Sequence, residues 1–260
     1  MKRPAWLDDP KRELWFAWYA TVAFYSLYSI VFFPITRTQP PGKPWLEPDQ
    51  VVRWFSDRHT GLLVGFALIF VLGGFSATSL ALITYSIRRM SVSRAFAYSY
   101  LILYAIAAIP GFLFMCVAMT SGVLRPDRSP ALQQWIYDLG FLSFSGTMGV
   151  FLVGSLIWMT AILLDRNRVF PRWFAYLNLC NALTEVVIAP SWIFHRGVLA
   201  WNGVIAWWID VAVFGMYTVV FIFLLRNMIL REDFRTGPLP GLPAKRPPLP
   251  AAPTDIAATS

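Results

Sequence analysis

The sequence predicts an all-α protein: a polytopic membrane helix bundle with six transmembrane helices and both termini in the cytoplasm. Three observations lead there. Of the 260 residues, 57% are hydrophobic and only 14% charged, where a soluble domain carries about 25% charged residues. The apolar residues are gathered into six long runs. The basic residues lie between those runs, concentrated in alternate connections.

A spanning helix needs about 20 mostly apolar residues. Six stretches qualify, at 14–36, 61–87, 95–121, 138–164, 173–195 and 201–225. Only helices and closed barrels satisfy every backbone group in hydrocarbon. Runs this continuous lack the alternation of a barrel strand, so helices remain. The first run has no small-residue cleavage site of the signal-peptide kind and reads as a retained span. Residues 1–13 are then a cytoplasmic N-terminus, 14–235 the transmembrane domain, and 236–260 a Pro/Ala-rich cytoplasmic tail. The prolines repeated through that tail exclude a helix, and it reads as disordered.

Orientation follows from the loops. Lys2, Arg3, Lys11 and Arg12 precede the first span. Arg88, Arg89 and Arg94 lie in the second loop, and Arg166, Arg168 and Arg172 in the fourth. Arg226, Arg231, Arg235, Lys245 and Arg246 follow the last span. The opposite side holds Arg37, Lys43, Arg53, Arg58, Arg125, Arg128 and Arg196. The first set is larger by about two to one, which makes its side cytoplasmic. Net charge is +8, but the basic residues form no continuous stripe, and nucleic acid is not an expected partner. The expected partners are the lipid bilayer, anionic headgroups at the cytoplasmic basic loops, and either a small-molecule ligand or another membrane protein.

The first outer loop, 36–60, opens with the extended or turning RTQPPGKP. Pro48 suits a first helical position. Val51, Val52 and Phe55 share a face, which predicts a short helix on the outer membrane surface. Gly61/Gly65, Gly73/Ala77/Ala81 and Ser145/Gly149 recur at every fourth position, a spacing that lets helix backbones approach. Cys116 and Cys180 both fall in apolar runs and read as small buried residues. Asp138 and Asp165, at the ends of the fourth span, read as boundary charges facing water. One short self-similarity stands out: Arg94-Ala-Phe-Ala-Tyr98 against Arg172-Trp-Phe-Ala-Tyr176, compatible with a duplicated hairpin or with two ordinary basic–aromatic boundaries.

Two carboxylates lie deep in apolar runs, Glu185 in the fifth and Asp210 in the sixth. Each is about ten residues from the outer turn between those runs. At about 1.5 Å per residue both are about 15 Å down, the midplane of a ~30 Å core. Asn178, Asn181 and Glu185 share one helix face, continued by Trp192. Gly203, Asp210 and Tyr217 share another. No lysine or arginine lies at this depth. Such a pair would share a proton and could bind a proton, a cation or an amine, with Asn178, Asn181 and Tyr217 lining the site. The alternative is a protonated pair bonded to Asn181, Thr184 or Tyr217 that holds helices together. His59 and His195, both at the outer face, are the only candidate haem ligands. No other metal set, no cofactor and no nucleophile–base pairing stands out, so an enzyme is the less favoured reading. The alternative to transport is a non-catalytic scaffold or assembly subunit.

Three stretches carry a resemblance: FPRWFAYLNL at 170–179, AWNG at 200–203 and DLGF at 138–141. The chain resembles an uncharacterised family of bacterial six-helix integral membrane proteins. That resemblance implies a bacterial inner-membrane location and no particular activity. At 184–196 the chain reads TEVVIAPSWIFHR where the family pattern is an apolar, P-G-G-like stretch, so Glu185 departs from it.

Overall fold

The computed structural model describes residues 9–107, 113–145 and 148–234. No strand occurs among them, and the protein is all-helical. The expectations for the extreme N-terminus and the 236–260 tail lie outside the described residues. In chain order the helices are α1 (Arg12–Ile30), α2 (Pro48–Ser56), α3 (His59–Leu72), α4 (Phe75–Arg88), α5 (Arg94–Ala107), α6 (Phe114–Leu124), α7 (Pro130–Ser145), α8 (Met148–Leu164), α9 (Trp173–Ile188) and α10 (Asp210–Arg231). A π segment, Val31–Ile35, continues α1, and another, Val204–Ile209, leads into α10.

Among the described residues, three helices are long and apolar enough to cross a membrane: Arg12–Ile35, Pro130–Leu164 and Val204–Arg231. A fourth is possible if α2 and α3, bent by 67° at their junction, count as one. Chain neighbours pack on one another. α1 lies on α4, α4 on α5, α5 on α8, α8 on α9 and α9 on α10, and α10 returns to α1. The π segment after α1 lies along α3, and α6 lies along α7. Many large apolar side chains point outward, among them Phe16, Phe70, Val117, Trp173 and Phe223. That suits a chain whose surroundings are hydrocarbon rather than water.

Two apolar cores form. One surrounds the buried Trp158 with Tyr100, Phe170, Phe174, Tyr217 and Phe221. The other surrounds Phe32, Phe55, Phe66, Tyr137 and Phe141. In the second, the small residues of α3 meet their purpose. A Cβ on Gly61 would lie 2.2 Å from the Ile35 carbonyl oxygen, and one on Gly65 would lie 2.4 Å from Thr36 Cγ2. The π segment can therefore sit directly on α3. Gly149 differs: a Cβ there meets nothing within 4 Å.

The short helix after Pro48 forms as expected, with a capping box between Glu47 and Gln50. Its apolar face goes elsewhere. Val51, Trp54 and Phe55 are buried, with Trp54 and Phe55 edge-on to Tyr137. The helix is thus a lid packed on α7 rather than a helix lying in a membrane surface. The segment before it is pinned by Trp201 Nε1, which donates to the Gly42 carbonyl at 2.6 Å, and by Tyr137 Oη, which donates to Lys43 at 3.1 Å.

Four further expectations change. α9 stops at Ile188, and Pro190 turns the chain into a short 3-10 segment, so the fifth helix does not run to 195. The last helix starts at Val204 and continues to Arg231. Cys116 is buried, but Cys180 is exposed on the outer face of α9. Asp165 does not face water: it is 6% exposed. Its carboxylate accepts from the Ser91 and Asn167 backbone N–H groups at 2.8 and 2.9 Å, from Val169 N–H at 2.8 Å, and from the Ser91 hydroxyl at 3.2 Å. This clasp joins the loop before α5 to the loop before α9, the two helices that open on the similar Arg-x-Phe-Ala-Tyr stretches. Beside it Arg89 pairs with Glu232 at 2.8 Å.

Candidate functional site

α9 and α10 are antiparallel neighbours, and their register is visible in two contacts. Tyr217 Oη donates to Asn178 Oδ1 at 3.2 Å. Seven residues further along α9 is Glu185, and seven residues back along α10 is Asp210. Seven residues return a helix to nearly the same face, about 10 Å along its axis. Glu185 and Asp210 are accordingly brought close enough for their charges to interact, and the Thr184 hydroxyl reaches the Asp210 carboxylate.

Each remaining polar group has a place. Asn178 Nδ2 donates to the Phe174 carbonyl at 2.9 Å. Asn181 Nδ2 donates to Ser155 Oγ of α8 at 3.2 Å. Tyr104 of α5, stacked on Tyr100 with ring centroids 4.4 Å apart, lies near Ser155 and Glu185. Tyr28 of α1 is near enough to feel Asp210. Five helices thus converge on the pair. Asn178, Asn181, Thr184 and Tyr217 are buried, while Glu185 and Asp210 are half-buried. The side-chain oxygen of Asn181 is buried without a hydrogen-bond partner. No ion pair among the described residues involves Glu185 or Asp210.

The chemistry available is that of acceptors. Two neighbouring carboxylates without a cation between them are a pair that can take up a proton or a cation. The Thr184 hydroxyl has one proton. It can go to the Asn181 carbonyl, at 2.8 Å, or to Asp210.

The five residues expected at the site are therefore brought together, with differences in detail. Gly203 is not on the helix face of Asp210, because it has extended backbone and the π segment intervenes. Trp192 lies past the end of α9 and is exposed. The pair shares a level, but that level is the last turn of α9 and about 9 Å from the start of the helix at Val204. Tyr104, Ser155 and Tyr28 were not expected. Each is a hydroxyl within an apolar run, with nothing in the sequence to tie it to the carboxylates.

The histidines do not assemble. His59 opens α3 and His195 lies in the loop after the 3-10 segment, both exposed; His195 is near Asp138 instead. Among the described residues no group of three or more His, Cys, Asp or Glu could hold a metal ion. No family model matches the chain, and no curated protein or solved structure is similar to it.

Proposed function

We propose that this chain is a six-span protein of a bacterial inner membrane, with both ends cytoplasmic, whose Glu185–Asp210 pair takes up a proton or a small cation as the working step of transport or binding. One observation carries the reading: two facing carboxylates, neither in an ion pair, inside a ring of apolar helices. Intramembrane carboxylates are costly and rarely face lipid. The unpartnered Asn181 oxygen adds an acceptor. Asn178, Asn181 and Tyr217 hold the pair's surroundings in one arrangement. A π segment leading directly into Asp210 fits too, since π turns are frequent at functional sites.

Six spans are supported by how the shorter helices lie. α3 and α4 run in succession along the π segment and α1, and α6 and α5 in succession along α7 and α8. The loop basic residues support the orientation. The stretches at 170–179 and 200–203 support the family resemblance and its inner-membrane location.

A scaffold reading has one observation in its favour: both carboxylates keep some exposure, so a basic residue on a partner helix could reach them. Native mass spectrometry of the detergent-purified wild type beside a Glu185→Gln/Asp210→Asn variant separates the two, with pH-driven uptake of small cations into proteoliposomes as the second readout. The proposal expects the uptake, or a small cationic ligand, in the wild type only, with the variant still folded. A protein partner bound to the wild type and lost from the variant, without uptake or ligand in either, favours the scaffold.

A further inference from the structure

The outer end of α6 carries a groove that neither the carboxylate site nor the lid uses. Phe70 of α3 and Val117, Thr120, Ser121 and Leu124 of α6 line a cavity of about 270 Å³, and Arg125 and Arg128 close its end. The volume is near the lower end, about 300 Å³, of ligand pockets. It suits one headgroup and the first methylenes of a chain. Phe70, Val117 and Leu124 are each more than half exposed, so the trough opens sideways, where lipid would be. From Val117 to Leu124 it runs about 10 Å along the helix.

The arginines set this surface apart from ordinary lipid-facing wall. Arg128 Nη1 donates to the Ser121 carbonyl at 2.9 Å and to the Ser121 hydroxyl at 2.8 Å. Those bonds pin the guanidinium over the last turn of α6 and leave its other N–H groups to face a ligand. Neither Arg125 nor Arg128 takes part in an ion pair among the described residues. The Thr120 hydroxyl is buried in the groove wall with no partner. An apolar trough ending in two unpaired guanidiniums matches an amphiphile with an anionic head, and guanidinium binds phosphate through paired N–H groups.

We propose that this groove holds an anionic phospholipid of the outer leaflet, its phosphate on Arg125 and Arg128 and the start of one acyl chain along Val117 and Phe70. The inference rests on the membrane reading above. It differs from the expected headgroup contacts at the cytoplasmic loops, because it lies at the opposite, basic-poor end. A capping role for Arg128 alone would leave Arg125, Thr120 and the trough without effect on lipid.

The test is native mass spectrometry of the full chain in mild detergent with equal amounts of phosphatidylglycerol and phosphatidylcholine. The expected result is one phosphatidylglycerol kept per chain in preference to phosphatidylcholine. That preference falls about tenfold, the effect of one charge-assisted contact, in Arg125→Gln. It falls also in Thr120→Trp, which fills the trough and leaves both arginines. Equal retention of the two lipids, or an unchanged preference in both variants, overturns the proposal. Displacement of the lipid by inorganic phosphate overturns it as well, since the occupant is then a soluble anion. A chain that needs detergent for extraction yet shows no lipid preference refutes the groove and leaves the membrane reading; a chain recovered without detergent refutes both.

Discussion

At the scale of single residues, the strongest polar anchor is one the sequence disguises. Asp165 accepts three backbone N–H groups and a hydroxyl from two loops. Removing it leaves buried donors unsatisfied, at about 1–3 kcal/mol for each group affected. Asp165→Ala is therefore expected to cost about 3 kcal/mol or more, and Ser91→Ala about 1 kcal/mol because only hydroxyl contacts are lost. Thermal unfolding in detergent measures both; equal, small losses would mean the clasp is not what joins the loops. An aspartate at the end of an apolar run looks solvated in sequence, since nothing local reveals which distant N–H groups it will meet. Glu185 and Asp210 are the opposite case: a carboxylate inside an apolar run is visible by its cost alone. Ser155 was not visible, because a serine or threonine hydroxyl in a helix is ordinarily satisfied by its own backbone. Thr21, Thr84 and Thr160 do just that, each donating to the carbonyl four residues back.

At the scale of elements, small residues at fourfold spacing were a partial guide. The spacing at Gly61/Gly65 marks the close approach of the π segment, whereas Gly149 meets no neighbour. The difference lies in the partner. Pro34 has no backbone N–H to give, and the chain there widens into a π turn, with Thr36 N–H bonded to the Val31 carbonyl at 2.8 Å. That brings a backbone carbonyl onto Gly61. Gly61→Ala should cost about 1–3 kcal/mol by overpacking, whereas Gly149→Ala should be neutral within about 0.5 kcal/mol. Matched melting temperatures for the two variants would refute the contact. Helix existence was legible from hydropathy, and helix ends were less so. Pro190 ends α9 early, and the turn residues before Val204 delay the start of the last helix. The lid's buried face was legible as amphipathic, but amphipathicity does not distinguish a protein surface from a membrane surface.

At the scale of the whole molecule, the prediction concerns which connections lie on which side. Six crossings, as proposed, put successive connections on alternate sides, a pattern that five exposed loop positions can report. Lys43, Arg94, Asp127, Arg166 and Arg196 are all exposed, one in each successive connection. Cys116 is buried and silent, and Cys180 faces outward from α9, so Cys180→Ser gives a quiet background. Single cysteines at those five positions, treated on intact cells with a charged, impermeant maleimide, should label at 43, 127 and 196 and stay unlabelled at 94 and 166 until the cells are permeabilised. The charge on the reagent matters, because a thiol facing lipid does not react with a probe confined to water. Reversal of the whole pattern would keep six spans and invert the orientation, which would place the lid, and the groove at the end of α6, on the cytoplasmic side. Equal labelling at 94 and 127 would mean that α5 and α6 do not cross together. The ring that encloses Glu185 and Asp210 would then be open to water on one side, and the argument that the pair is held in low dielectric would fail with it.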